Sequence, residues 1–364
     1  MNSPTPLRSL QSGSWFKLIC GASYQALPSI RNLTLAYALA GADCIDMAAD
    51  MAVVAAAKAG LDVAARVAES SGREYERPWL MVSMSAGEDP HFRKAWFDPA
   101  VCPADCPRPC ESICPADAIG QKGVVRDRCY GCGRCLPMCP LGLIEAKPQP
   151  TSLDSVARQV LAQVDALEIH THVGQQSEFE QLWQTVKPWT SHLSLISVSC
   201  PDGEGLLSYL ENLQHILSLN AANGPALMWQ TDGRPMSGDL GKGTTHAAIR
   251  LAQKVIAAKK LKKLRGYVQL AGGTNKYTVS KLTELGLLNC LSAEGCSSHD
   301  TVAGVAYGSF ARSLLMPVIE QTLYLEEVPS ALWRAVKLAE SLVDPLKGSL
   351  KGSLKRPQES TVFR

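Results

Sequence analysis

Short apolar runs alternate with longer amphipathic stretches along most of this chain. The first run, Phe16-Lys17-Leu18-Ile19-Cys20, has the length of a strand, and the stretch that begins at Leu27 has the length and apolar spacing of a helix. The same alternation predicts strands at 16–20, 44–47, 79–84, 166–171, 193–199, 226–230, 267–270 and 288–291. It predicts helices at 27–40, 51–67, 153–164, 178–186, 205–217, 245–259, 278–285 and 332–343.

Strands that alternate with helices in this number favour a closed (β/α)8-type barrel, with an open, doubly wound sheet as the alternative. A Pro-rich, cysteine-rich segment interrupts the alternation after the third strand, where a barrel carries one of its functional loops. We therefore divide the chain into a first part of the barrel at 1–97, an inserted ferredoxin-like module at 98–150, the remainder of the barrel at 151–344 and a disordered tail at 345–364.

Composition excludes several classes of protein. The 364 residues include 36 Lys plus Arg and 34 Asp plus Glu, a balance that argues against a nucleic-acid-binding surface. The most apolar stretch, 33–61, contains Asp43, Asp46 and Asp50, charges that a membrane-spanning helix excludes. The first residues lack the apolar core of a signal peptide, so we expect a cytoplasmic protein without a membrane span.

Eight of the 13 cysteines fall between Cys102 and Cys139, a local density that indicates metal ligation rather than a disulfide framework. The second half of this block has the spacing C-x2-C-x2-C-x3-C-P, from Cys129 to Pro140, which is typical of bacterial ferredoxins with [4Fe-4S] clusters. Two-residue gaps let three thiolates reach one face of a cubane, and Gly131 and Gly133 let the backbone lie close to it.

The first half of the block has three-residue gaps, which depart from that spacing. Cys114 and Cys139 nevertheless begin similar segments, Cys114-Pro-Ala-Asp-Ala-Ile119 and Cys139-Pro-Leu-Gly-Leu-Ile144, as expected of a duplicated ferredoxin half. By the crossover rule of two-cluster ferredoxins, one cluster takes Cys129, Cys132, Cys135 and Cys114, and the other takes Cys102, Cys106, Cys110 and Cys139. Structural zinc, or a single [4Fe-4S] cluster held by the second run, are the alternatives.

The barrel strands also carry candidate chemistry near their carboxyl ends. Polar side chains that could surround a pocket, or cap helices instead, are Asp46, His170, His172, Cys200, Gln230 and Asp232. Glycines after the last two predicted strands, which could bind the phosphate of a flavin or another ligand or simply form turns, are Gly272, Gly273, Gly304 and Gly308. Cys296, near His299 in a polar loop, is either a redox-active thiol or a spectator.

The cysteine block inserted after Ile45-Asp46-Met47-Ala48-Ala49, together with Leu270-Ala271-Gly272-Gly273-Thr274-Asn275, resembles the light-dependent period protein family of cyanobacteria over nearly the whole chain. The resemblance implies that the cysteines bind iron-sulfur clusters that sense redox state and pass light-derived information to the circadian clock.

The partners that the resemblance implies are clock and redox-signalling proteins, to which we add an electron donor or a quinone. We favour such a sensor over the alternative, a ferredoxin-linked oxidoreductase that moves electrons between the clusters and a flavin or a substrate in the barrel.

Overall fold

The computed structural model describes residues 6–87, 92–114, 116–129, 131–148, 153–219, 224–234, 242–288 and 301–351. Its strands are β1 (Trp15–Gly21), β2 (Cys44–Ala48), β3 (Trp79–Ser85), β4 (Arg93–Trp96), β5 (Ile119–Gly120), β6 (Gly123–Val124), β7 (Glu145–Pro148), β8 (Ala166–His170), β9 (Leu195–Pro201), β10 (Ala226–Asp232), β11 (Tyr267–Ala271) and β12 (Gly304–Tyr307). All except β4 to β7 form one closed parallel barrel, in which β12 pairs with β1. The predicted barrel is confirmed, and the open sheet is wrong.

Most of the helices surround this barrel and connect its strands, and one short helix, Pro109–Ser112, lies in the inserted module. The helices are α1 (Pro6–Ser12), α2 (Leu27–Leu39), α3 (Met51–Ser71), α4 (Pro109–Ser112), α5 (Leu153–Leu161), α6 (Gln176–Val186), α7 (Leu206–Leu217), α8 (Thr245–Lys260), α9 (Thr278–Glu284), α10 (Ser309–Ile319) and α11 (Pro329–Lys351). The ends of α3 show how the sequence defines them: Asp50 accepts hydrogen bonds from the backbone N–H of Ala52 and Val53, and Gly72 ends the helix with a positive φ of 66°. No helix in these described ranges is both long enough and apolar enough to cross a membrane.

The interior of the barrel changes from apolar to polar along the strands. Alternate residues of each strand point inward, and those nearest the amino-terminal end form an apolar layer that α1 covers. That layer comprises Leu10, Trp15, Cys44, Met81, Ala166, Leu195, Met228 and Ala303. Two residues further along the strands the buried side chains include Lys17, Glu168, Gln230 and Gln269. The barrel therefore encloses a polar layer below its carboxyl-terminal mouth.

The inserted module is joined to the barrel by a two-stranded antiparallel ribbon. Strand β4 pairs with β7, so that Arg93 lies opposite Pro148 and Trp96 lies opposite Glu145. The ribbon begins before residue 98, where the sequence placed the boundary of the module. Strand β4 is not recognisable in the sequence, since it contains Arg93 and Lys94 and lacks the apolar pattern of the barrel strands.

The eighth barrel strand lies later in the chain than predicted. The prediction that 288–291 forms the eighth barrel strand is wrong, because β12 fills this place. Leu288 makes an isolated bridge to Val302, and residues 289–291 lie outside the described ranges. Gly304 obscured the strand in the sequence, since glycine is unfavourable within strands. In the structure Gly304 allows close approach of the neighbouring strand: a Cβ atom there would lie 1.9 Å from the Trp15 carbonyl oxygen.

The last helix continues past Pro345, where we expected a disordered tail to begin. Its buried Lys347 donates hydrogen bonds through Nζ to both carboxylate oxygens of Asp43, at 2.7 and 2.6 Å, and to Ser9 Oγ at 2.8 Å. This ion pair attaches α11 to the amino-terminal end of the barrel. The expectation was wrong at this point because lysine in a Gly/Ser-rich repeat looks like a solvated residue. Residues 352–364 of the predicted tail lie outside the described ranges.

The Lys347–Asp43 pair gives a direct test of this attachment. We expect Lys347→Ala to lower the free energy of unfolding by about 3 kcal/mol, because it leaves a buried carboxylate without its cation. Chemical denaturation measures the loss, and Lys337→Ala, an exposed position on the same helix, serves as the control. Equal stability of the two variants would contradict the ion pair.

Candidate metal centre and barrel mouth

Four cysteines from the two halves of the block surround one cavity of about 180 Å³. They are Cys114, Cys129, Cys132 and Cys135. The remaining wall is largely apolar and includes Ala95, Ala116, Ala118, Ile119 and Leu136. We call this space the inner cavity. It brings together the four thiols that the crossover rule assigned to one cluster.

Backbone geometry explains how the thiols reach the inner cavity. Gly131 and Gly133 have positive φ values of 68° and 74°, a conformation that glycine adopts without strain. The backbone N–H of Ala95 lies 3.4 Å from Cys129 Sγ, and that of Ala118 lies 3.3 Å from Cys114 Sγ. Such N–H groups stabilise negative charge on sulfur and so raise the reduction potential of a cluster bound there.

The other four cysteines lie in the same module, with Cys110 buried and Cys102, Cys106 and Cys139 half-buried. Cys139 repeats the geometry of Cys114, since its Sγ lies 3.3 Å from the backbone N–H of Leu143, four residues on. Burial acts to raise the pKa of Cys139, but this N–H and its neighbours outweigh it and lower the pKa. The pKa of Cys110 is raised by burial, and the charges of Cys139 and Cys102 act on it. Cys102, Cys110 and Cys139 are therefore close enough for their charges to interact.

The thiols are crowded together, which favours a positively charged group that binds them as thiolates. Burial, followed by the proximity of Cys132, Cys129 and Cys114, raises the pKa of Cys135 to about 12. Metal ions and clusters reverse such shifts, because they bind the deprotonated thiolate. A cubane is wider than one ion, so an apolar cavity with cysteines around it fits a cluster better than zinc.

A buried lysine connects the inner cavity to the barrel. Lys94 of β4 lines the cavity, and its Nζ donates hydrogen bonds to Gln25 Oε1 at 2.8 Å and to the Arg126 carbonyl at 2.7 Å. Gln25 follows β1 in the barrel, and its N–H donates to the Asp127 carbonyl at 3.0 Å. Burial lowers the pKa of Lys94, and Cys129 and Asp127 act against this. One cation thus contacts both the cysteine module and a loop of the barrel.

A second cavity, of about 90 Å³, lies at the barrel mouth. We call it the mouth cavity. Its polar lining includes Asp46, Ser83, Glu168, His170, Gln230, Asp232, Arg234 and Arg312, together with the glycines Gly272, Gly273 and Gly308. Cys132 lines it as well and therefore belongs to the walls of both cavities. Cys132, a candidate ligand, therefore lies between the cysteine module and the interior of the barrel.

A buried ion cluster lies at the base of the mouth cavity. Lys17 Nζ contacts Glu168 Oε2 and lies 3.4 Å from Asp46 Oδ2, and all three side chains are almost fully buried. Burial acts to lower the pKa of Lys17, but the two carboxylates outweigh it and raise that pKa. Burial raises the pKa of Asp46 to about 6, although Lys17 opposes it. For Glu168 burial acts upward, yet Lys17 and His170 hold its pKa well below the ordinary value.

Hydrogen bonds extend this cluster across the barrel. His170 Nε2 lies 3.2 Å from Glu168 Oε1, and Gln230 Nε2 donates to the same oxygen at 2.7 Å. Gln269 Nε2 donates to Gln230 Oε1, and Trp15 Nε1 donates to Gln269 Oε1, both at 2.6 Å. Each buried group is thereby oriented by a neighbour, so the polar layer is one connected network.

Sequence reasoning found part of this site. Asp46, His170, Gln230 and Asp232 line the mouth cavity as predicted positions at strand ends, whereas the described lining does not include His172 or Cys200. Lys17 and Glu168 were missed, although each is a charged residue in the middle of an otherwise apolar strand, which is the signal that could have found them.

The predicted glycines divide in the same way. Gly272, Gly273 and Gly308 line the cavity, whereas Gly304 is the first residue of β12, at the opposite end of the strand from the mouth. Gly272 and Gly273 have positive φ, and added Cβ atoms would clash with Asp232 and Thr244, so packing alone requires glycine at both. The prediction for Cys296 falls outside the described residues.

Two family models match this chain. The LdpA Fe-S cluster-binding domain matches residues 102–149, and the light dependent period A C-terminal domain matches residues 160–345. A protein named light dependent period A, from Synechococcus elongatus, is 53% identical over 352 residues, which are 95% of this chain and 95% of that protein. The chain belongs to the light dependent period A family. The cysteine module of this family member is an iron-sulfur cluster-binding domain.

This light dependent period A family member is also similar, more distantly, to other proteins. An uncharacterized ferredoxin of Methanocaldococcus jannaschii is 46% identical over 43 residues, 11% of this chain and 28% of the ferredoxin. Tryptophan synthase subunit alpha from Legionella pneumophila aligns with a TM-score of 0.42 and 9% identity, over 93% of this chain and 98% of that chain. A putative fructose-1,6-biphosphate aldolase from Coccidioides immitis aligns with a TM-score of 0.40 and 13% identity, over 96% of this chain and 97% of that chain.

The buried ion cluster predicts a large effect of removing its cation. We expect Lys17→Met to destabilise the protein by about 3–5 kcal/mol, because Glu168 and Asp46 would remain as buried carboxylates without an ammonium partner. Calorimetry measures this as a lower Tm. The double variant Lys17→Met/Glu168→Gln removes one of the two charges and is expected to recover part of the loss. A single variant as stable as the wild type would show that the cluster does not exist as described.

Proposed function

We propose that this protein is an iron-sulfur redox sensor that relays cellular redox and light state to the circadian clock through protein partners. The observation that carries the proposal is the inner cavity, where four cysteines of an iron-sulfur-binding domain surround a space beside the barrel mouth. Membership of the light dependent period A family supports the place of the protein in light-dependent timing. Its partners are accordingly clock and redox-signalling proteins, and its location is cytoplasmic.

The proposed cofactors are two [4Fe-4S] clusters. The inner cluster takes Cys114, Cys129, Cys132 and Cys135, and the outer cluster takes Cys102, Cys106, Cys110 and Cys139. The fit of the inner set rests on the shared cavity and on N–H groups near two of its sulfurs. The fit of the outer set rests on the proximity of Cys110 to Cys102 and Cys139. When bound, the clusters supply one-electron oxidation and reduction, and the polypeptide sets the potential and transmits the change in charge.

Transmission to partners begins at Lys94. Electron gain makes the inner site more negative, which strengthens its attraction to the buried ammonium group, and loss of the cluster removes that attraction. Because Lys94 also donates a hydrogen bond to Gln25, either event changes the balance of forces between the module and the loop after β1. A surface formed by module and barrel together would then differ between redox states, and partner proteins would distinguish them.

An oxidoreductase is the second candidate, because Cys132 borders the mouth cavity as well as the inner cavity. In this function an electron donor or a quinone exchanges electrons with the clusters, and a flavin or a substrate lies in the barrel mouth. An ultraviolet-visible spectrum of anaerobically purified protein separates the two candidates. Flavin bands favour the oxidoreductase, whereas a broad cluster absorption without them favours the sensor.

Cluster content tests the proposed ligand sets. We expect about eight iron atoms per chain in anaerobic wild-type protein and about four in Cys135→Ser, because each [4Fe-4S] cluster depends on its own four thiolates. Iron and sulfide analysis gives both counts. Cys200→Ser, a buried cysteine of β9 outside the module, is the matched control and is expected to retain the wild-type content. Zinc in place of iron, or equal iron in all three proteins, would refute the assignment.

The role of Lys94 is tested by its effect on the inner cluster. We expect Lys94→Met to shift the midpoint potential of one cluster to a lower value, because removing a nearby positive charge disfavours electron gain. A redox titration monitored by electron paramagnetic resonance measures the shift. Lys122→Met, at an exposed position of the same module, is the control. Identical potentials in the two variants would exclude Lys94 as the link.

A further inference from the structure

The mouth cavity is built differently from the rest of the barrel interior. Barrel interiors are usually filled by branched apolar side chains, yet Lys17, Asp46, Glu168 and His170 are nearly inaccessible here. Burying such groups costs free energy that an apolar layer of the same volume would not, so stability alone does not account for them. Charged groups in this position, at a cavity on the carboxyl-terminal face, are typical of ligand-binding and catalytic sites.

The lining offers two kinds of recognition. Asp46 supplies a carboxylate acceptor for hydroxyl or amino groups of a ligand, and His170 lines the same cavity. Arg312 supplies positive charge, is 6% exposed and lines the same cavity. Neutral groups orient its guanidinium: Nη1 donates to the carbonyls of Ile19 and Cys20 at 2.9 and 3.0 Å. A rigid guanidinium of this kind suits a carboxylate or a phosphate.

The volume and lining of the cavity limit the class of ligand that it can hold. Its volume of about 90 Å³ suits a molecule of a few heavy atoms. The combination of the Arg312 guanidinium with the Asp46 carboxylate in one lining fits a small organic anion that also carries a hydroxyl or amino group.

We propose that the mouth cavity is a binding site for a small organic anion, whose carboxylate or phosphate contacts Arg312 and whose hydroxyl or amino group contacts Asp46 and His170. Cys132 lines both cavities, so the charge of the ligand and the charge of the inner cluster interact across a short distance. An anion in the mouth disfavours electron gain by that cluster, and reduction of the cluster weakens anion binding by the same factor. This linkage, unlike the binding site itself, rests on the proposed inner cluster.

Binding is tested on the cluster-loaded protein by isothermal titration calorimetry with glycolate, acetate and inorganic phosphate, each at constant ionic strength. We expect saturable binding of glycolate that is tighter than that of acetate, because only glycolate carries a hydroxyl for the Asp46 carboxylate. Binding of phosphate but of neither carboxylate would support the site and assign it to phosphate ligands. Absence of saturable binding for all three anions would overturn the proposal.

A blocking variant locates the binding. Ala22, a half-buried turn residue after β1, lines the mouth cavity, and Ala22→Leu fills it without removing a charged group. We expect this variant, and separately Arg312→Gln, to weaken binding at least about tenfold. Ala52→Leu, at an exposed position of α3, is the matched control with unchanged affinity. Wild-type affinity in Ala22→Leu would overturn the proposal whether or not Arg312→Gln folds.

The linkage is tested by repeating the titration with chemically reduced protein. We expect about fivefold weaker binding or more after reduction in the wild type. Equal affinity in both redox states would overturn the linkage and leave the binding result to stand on its own. Iron and sulfide analysis of the same samples separates failure of this inference from failure of the proposed function, since protein with clusters and no anion binding contradicts the inference alone.

Discussion

Eight parallel strands that end on one face of a closed barrel constrain everything else in this protein. A loop inserted between a barrel strand and the helix that follows it leaves and returns on that face. The β4–β7 ribbon holds the inserted module together at its base, and the cysteine-lined cavity lies directly beyond it. The proximity of the iron-sulfur-binding module to the barrel mouth is therefore a consequence of topology, and Cys132 is the residue at which the two cavities meet.

Buried charge is the second organising feature, and it occurs at three levels along the barrel axis. Lys347 pairs with Asp43 at the amino-terminal end, Lys17 pairs with Glu168 in the interior, and Lys94 lies between the barrel and the module. The first pair has a structural role, because it attaches the last helix. The second and third adjoin cavities, and they provide the fixed charges through which a ligand or a cluster can act on the protein.

Much of this architecture could be predicted from the sequence, because parallel barrel strands are short apolar runs and helices follow each of them. The eighth strand could not, since Gly304 interrupts the apolar run for a reason that appears only when Trp15 lies against it. The attachment of α11 was equally hidden, because the role of Lys347 depends on Asp43, which is about 300 residues away in the chain.

The candidate site, too, could be predicted only in part from the sequence. Cysteine spacing predicted which four thiols surround the inner cavity, because ferredoxin-like ligands are close in sequence. The spacing carries no information about Lys94 or the mouth cavity. Lys17 and Glu168 are charged residues within short apolar runs, but only the closed barrel shows that they pair with each other. Contacts between distant segments are what a single sequence leaves out.

Diffraction data collected at the iron absorption edge from crystals of anaerobically prepared protein test the central claim most directly. The account predicts an iron cluster bounded by Cys114, Cys129, Cys132 and Cys135, next to Lys94 and beside the barrel mouth. A single zinc ion in that position, identified at the zinc edge, or iron bound by a different set of side chains away from the mouth, would contradict it.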